Sequence, residues 1–302
     1  MVKHWKKQYC LFIALFISCI IPTTAFADTA PKPSINITFT GIEGECYYAT
    51  LLSKQESTGP ASAYNGTNAY YAEDTLKAKQ IWQKFVDYED PEGFYFLQWF
   101  WDCSKENAFT WGYYPPETFE VLLYFPEYNT YMKSEICERY AFDSYYTMDL
   151  SGVNLEIYAD SESIPIVAIQ KSYDYYAEIL SVIARIFITI VIELGIAVVF
   201  AFRGRKQLLF LAAVNIMTQV LLNVSLNVID NSNGWYAFLI FYILLEAIVF
   251  VAEAVVYTIF LPRMQKELAV PTRRKTIIYA LTANLSSFII GLWLAHLLPG
   301  LY

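Results

Sequence analysis

From Ser181 to the C-terminus hydrophobic residues run almost without interruption, whereas residues 28–172 interleave them with charges, turn formers and aromatics. The chain therefore divides near Tyr173. In the first part, runs with period-two character lie at Ser34–Thr40, Cys46–Ser53, Phe94–Asp102, Phe119–Phe125, Tyr140–Leu150 and Leu155–Tyr158. Turn formers separate them, among them Gly41 to Gly44, Asp90-Pro91-Glu92-Gly93 and Tyr114-Pro115-Pro116-Glu117. This spacing predicts an antiparallel β-sandwich-like domain. Asp74 to Tyr88 breaks the pattern: Leu76, Ile81 and Phe85 recur at helical spacing and predict one helix, crossing between the sheets.

The second part contains four apolar segments of membrane-spanning length, at 177–202, 207–229, 235–261 and 276–298. The connectors set an orientation. Arg203, Arg205 and Lys206 follow the first segment, and Arg263, Lys266, Arg273, Arg274 and Lys275 follow the third, while Asp230-Asn231-Ser232-Asn233-Gly234 has no basic residue. Loops 203–206 and 262–275 are therefore expected in the cytoplasm. An even number of spans then leaves residues 28–172 and the C-terminus outside, with Trp235, Tyr236 and Trp293 near the outer interface. The predicted fold class is an α+β membrane protein: an extracytoplasmic β domain followed by a four-helix transmembrane bundle.

Polar groups inside such helices are costly unless they face protein or water. The first segment carries Arg185 and Glu193, and the second carries Asn215, Gln219, Asn223 and Asn227, spaced every four residues along one face. Glu246 and Glu253 in the third lie two turns apart, and the fourth offers Asn284, Ser287 and Gly291. At about 1.5 Å per residue, Glu193, Asn215, Gln219, Glu253 and Asn284 fall at or somewhat cytoplasmic of the midplane, with Arg185, Asn223 and Glu246 at or outside it. Four polar faces converging on one axis point to a proton, cation or small-solute site. Ordinary interhelical hydrogen bonding is the competing reading of the amides, and Arg185 has Glu178 and Glu246 as candidate partners.

Lys3, Lys6 and Lys7, the apolar run from Cys10 to Ile21 and the ending Ala25-Phe26-Ala27 have the order of a signal peptide cut after Ala27. The apolar core is short of the roughly 20 residues that a span requires. The expected domains are thus 1–27 signal peptide, 28–172 exported domain and 173–302 membrane domain. The exported part then holds Cys46, Cys103 and Cys137, an odd set compatible with one disulfide and a thiol or with three buried cysteines. The histidines are His4 and His296, so no metal site is expected.

Residues 28–172 carry roughly 22 acidic side chains against about nine basic ones, and no histidine. Ser-His and Cys-His pairs are therefore excluded, and the helices lack His-Glu-x-x-His, Gly-x-Ser-x-Gly and paired aspartates. An enzyme reading ranks third, after binding and transport, for want of a nucleophile, and no cofactor or nucleic-acid partner is expected. Aromatic clusters such as Trp99-Phe100-Trp101 beside the acidic Asp87, Glu89, Asp90 and Glu92 leave carbohydrate, cationic peptide or calcium as candidate ligands, although the loop lacks EF-hand spacing.

Lys32-Pro33-Ser34-Ile35-Asn36-Ile37-Thr38-Phe39, Tyr48-Ala49-Thr50-Leu51-Leu52-Ser53 and Phe94-Tyr95-Phe96-Leu97-Gln98 resemble segments of uncharacterised exported multi-span membrane proteins of Firmicutes. Val214-Asn215-Ile216-Met217-Thr218-Gln219, Glu246 to Glu253 and Tyr279 to Asn284 extend the resemblance over most of the chain. It implies shared architecture and a Gram-positive cell surface, where the Asn36 and Asn65 acceptor motifs stay unglycosylated. The functional expectation is a ligand- or partner-binding, sensing or scaffold domain on a polar-cored bundle. Its expected partners are the lipid bilayer and a membrane or envelope protein. The alternative is a small homo-oligomeric transporter or proton or ion conduit using the intramembrane glutamates.

Overall fold

The computed structural model describes residues 31–69, 75–161, 163–264 and 273–297. The expected signal peptide and its cleavage point lie outside these residues. The chain is α+β, with sheets in its N-terminal half and helices in its C-terminal half.

Two sheets share one core. The smaller joins Ser34–Thr40 to Ala108–Trp111 on one side and to Asp143–Asp149 on the other, with Ile169–Lys171 at its edge. The larger has Thr118–Phe125 at its centre, flanked by Tyr48–Ser53 and Thr130–Ser134, with short edge strands beyond. Ile35, Ile37, Phe39, Phe109, Trp111, Tyr146 and Met148 of the first meet Ala49, Leu51, Phe119, Val121, Leu123, Phe125 and Met132 of the second.

The expected sandwich was purely antiparallel, and the pairing corrects this. Ser34–Thr40 runs parallel to Asp143–Asp149, register Ile37 to Tyr146, and Ile166–Val167 runs parallel to Thr130–Ser134. A further strand, Leu155–Tyr158, is expected from its alternation but forms a 3-10 turn capped by the Asn154 side chain, which accepts from the Glu156 N–H. Phe94–Asp102 splits into Tyr95–Phe96 and Trp101–Asp102, because Gln98 takes a left-handed φ of 67° between them.

The predicted helix is present as α1, Leu76–Val86, with the Thr75 hydroxyl accepting from the Ala78 N–H. It lies on the far face of the larger sheet instead of between the sheets. Ala78, Ile81, Trp82 and Phe85 pack on Tyr48, Leu52, Leu122 and Tyr124. This explains why every residue of Tyr48–Ser53 is buried: Ala49 and Leu51 face one core, Tyr48 and Leu52 the other. Cys46, Cys103 and Cys137 are three free thiols. Burial pushes Cys103 up to about 12 and Cys137 up to about 11, so both are inert.

The helical half consists of α2, Tyr175–Val199, α3, Arg205–Phe260, and α4, Arg273–Leu297. Four separate spans were expected. Among the described residues two helices, α2 and the stretch Arg205–Met264, are long and apolar enough to cross a membrane by length and composition alone. The second and third expected segments are two helices that meet at Gly234 without an intervening loop, the first running through Asn233 and the second beginning beyond Gly234. Gly234 is non-helical, at φ 77°, ψ 173°, and turns the chain back on itself. Phe210 and Phe260, at opposite ends of α3, have ring centroids 5.8 Å apart. Leu222 and Leu226 likewise pack on Tyr242 and Val249. α3 is therefore a hairpin of two legs, 205–233 and 235–260.

Candidate functional site

The hairpin and the packing of α2 and α4 against it bring the predicted polar residues together. Glu193 of α2 and Glu253 of the second leg are both fully buried. The Thr218 hydroxyl donates to Glu253 Oε1 at 2.6 Å, and Asn284 Nδ2 donates to Glu253 Oε2 at 2.8 Å. Both oxygens of that carboxylate are thus satisfied, from two different elements. Glu193 is held less completely: Ser287 Oγ donates to its Oε1 at 3.4 Å, and the Tyr279 hydroxyl donates to its backbone carbonyl, also at 3.4 Å.

Four oxygens around this pair accept no hydrogen bond, although the Tyr257 O–H is directed at Glu253. They are Glu193 Oε2, Asn215 Oδ1, Asn284 Oδ1 and the Tyr257 hydroxyl, on residues no more than 6 % exposed. Asn215 lies beside Glu193, and its Nδ2 is committed to the Leu211 carbonyl at 3.0 Å. Asn284 Nδ2 likewise also serves the Ala280 carbonyl at 3.1 Å. Buried polar atoms are nearly always paired, so this concentration of unmet acceptors is the most unusual feature of the helical half.

Arg185, Gln219, Asn223 and Glu246 form a second tier. With Thr189, Tyr242 and Ser287 they line a cavity of about 10 Å³, close to the space one water needs. Ser287 belongs to both tiers, and all eight sequence-predicted site residues therefore lie in one polar column. Toward the β domain the column meets a larger cavity of about 460 Å³, which shares Arg185 and Asn223 and adds Tyr145, Tyr173, Glu178, Asn227 and Asp230. The four-residue amide spacing from Asn215 to Asn227 thus runs from the buried carboxylates to this opening. At the opposite end Phe202, Tyr257, Tyr279, Leu261 and Leu211 pack into an apolar plug.

The β domain is clasped to the bend of the hairpin. The Phe142 N–H donates to the Asn231 carbonyl at 2.8 Å, and the Phe142 ring lies where a Cβ on Gly234 would stand, 2.5 Å from Cδ1. Only glycine allows this approach together with a positive φ.

Sequence patterns did not single out a second buried charged cluster, in the β domain. Glu120, on the central strand, and Lys133, on its neighbour, face α1 and meet the loop that follows it. Lys133 Nζ donates to Asp90 Oδ1 at 3.0 Å, to Glu120 Oε1 at 3.1 Å and to Glu92 Oε2. Asp90 Oδ2 accepts from the Glu92 and Phe94 N–H groups at 2.9 and 3.1 Å. The acidic loop suspected as a ligand site is therefore tied down around a lysine. Burial pushes the Glu120 carboxyl up to about 7, against the opposing hydrogen bond from Lys133. Burial also works against Asp90 ionising, yet the Lys133 and Phe94 hydrogen bonds hold it below the usual range. The available signal was one acidic residue inside the otherwise apolar Thr118–Phe125.

No protein-family model matches the chain, and neither a curated protein nor a solved structure is significantly similar to it.

Proposed function

We propose that the chain is an integral membrane protein whose exported β domain binds a ligand or an envelope partner and passes the event to a polar-cored, four-legged transmembrane bundle. In this reading residues 28–172 and the C-terminus are extracytoplasmic, loops 203–206 and 262–275 are cytoplasmic, and the setting is a Gram-positive cell membrane. The observation that carries it is the Phe142 clasp on Asn231 and Gly234. A domain that served only to be displayed needs a tether, whereas this one grips the hairpin bend beside a cavity that both halves line. Such junctions are preferred ligand sites.

Hydrogen exchange on the full chain in nanodiscs tests the relay. Phe142→Ala is expected to loosen amides around 215–233 as well as the clasp itself, and unchanged exchange in that leg sinks the relay. Membrane-impermeant maleimide tests the topology: in a Cys46→Ser background, Ser163→Cys is expected to label on intact cells and Arg205→Cys only after permeabilisation. The reverse pattern overturns the orientation.

The unpartnered oxygens around Glu193 and Glu253 favour a second reading, an oligomeric proton or ion conduit using Glu193, Glu246 and Glu253. Reconstituted protein whose Glu193→Gln and Glu253→Gln variants carry the same flux as wild type removes it.

A further inference from the structure

We infer that Glu193, Asn215, Tyr257 and Asn284 form an occluded binding site for a small monovalent cation of the sodium class. The inference rests on the reading of the helices as a membrane bundle, and not on transport through it.

Four oxygens from three helices surround the Glu193–Glu253 pair, and none accepts a hydrogen bond: Glu193 Oε2, Asn215 Oδ1, Asn284 Oδ1 and Tyr257 Oη, whose own O–H is directed at Glu253. The two asparagine amides are turned so that their NH2 groups are spent on the Leu211 and Ala280 carbonyls and on Glu253, leaving their carbonyl oxygens free. This orientation suits a cation and wastes acceptors otherwise. Glu253 contributes charge without an open oxygen, since Thr218 and Asn284 fill both its positions. The open set is thus one anionic and three neutral oxygens, and the Glu253 carboxylate beside it adds a negative field that favours a cation.

Other occupants fit less well. One proton on Glu193 Oε2 pairs with one neighbour and leaves further acceptors unmet. Magnesium keeps several waters, and calcium takes six to eight oxygens with more carboxylate character. Neither suits a site closed by residues no more than 6 % exposed. The charged and titratable groups facing the site are Glu193 and Arg185 on α2, Glu246, Glu253 and Tyr257 on α3, and Tyr279 on α4. On the side toward the β domain Arg185, Asn223 and Ser287 border the site, and at the other end Phe202, Tyr257 and Tyr279 pack together.

The test uses the full chain in nanodiscs, with radioactive sodium in a proximity assay and thermal unfolding in sodium chloride against choline chloride at equal ionic strength. Saturable sodium binding is expected, competed by sodium and lithium salts and not by choline, with a higher Tm in sodium. Glu193→Gln and Asn284→Ala are each expected to weaken binding tenfold or more, whereas Thr282→Val, on the exposed face of α4, binds as wild type. Should either core variant fail to fold, the wild-type competition and Tm series decide alone. No saturable sodium binding, an equal Tm in sodium and choline, or a Tm that responds to acid and not to sodium overturns the inference. Binding without flux upholds it and removes the conduit. Its failure leaves the Phe142 clasp, and the relay tested by hydrogen exchange, untouched.

Discussion

The Thr218 hydroxyl donates to Glu253 at 2.6 Å across the two legs of the α3 hairpin, 35 positions apart in the chain. That bond ties the two legs of the hairpin at the depth of the buried carboxylates. Thr218→Val keeps the shape and removes the donor, leaving Glu253 Oε1 unmet. A loss of about 1 kcal/mol is expected, read as a lower Tm of the full chain in nanodiscs.

Gly234 holds the same hairpin at its tip. Valine there meets the Phe142 ring and takes a φ of 77° that β-branched side chains resist. Gly234→Val should lose about 1–3 kcal/mol and open the clasp, seen as new protease cleavage between residues 228 and 236. Cleavage resistance equal to wild type contradicts the hairpin packing.

Lys133 contacts three carboxylates at once. Lys133→Met leaves Asp90 and Glu120 buried and unpaired, and a loss of about 3–5 kcal/mol is expected. The Lys133→Met, Glu120→Gln double variant should recover part of it, because one buried ionisable group is gone. Additive losses in a double-mutant cycle refute the coupling.

The same cluster gives a pH dependence with a definite sign. Between its ordinary 4.5 and about 7, the folded protein keeps a proton on Glu120 that the unfolded chain has released. The contribution of this group to stability is therefore present below about 4.5 and is lost as pH rises toward 7. Asp90, held low, acts in the opposite sense below its usual 3.8. Denaturant midpoints measured across this window should fall with rising pH in wild type and flatten in Glu120→Gln.

Much of this architecture was legible along the chain. The strand Ser34–Thr40 and helix α1 follow from the period of their apolar residues, because each buries one face and the period records which, and the helical half follows from the length of its apolar runs. The polar column was legible for the same reason: Asn215, Gln219, Asn223 and Asn227 repeat every four residues, and Glu246 and Glu253 share a face. A single helix fixes its own face from its own sequence.

Pairing between distant segments left no such record. The parallel match of Ser34–Thr40 with Asp143–Asp149 is set by how two sheets close over a common core, and alternation is the same for parallel and antiparallel neighbours. Nor does period distinguish a strand from the 3-10 turn at Leu155–Tyr158 when the run is four residues long. Sequence by itself determined the division into a β half and an apolar helical half and the polar face of each helix. Tertiary structure decided that Thr218 and Asn284 satisfy Glu253 while Glu193 keeps an open oxygen, because helix rotation and depth depend on packing against neighbours.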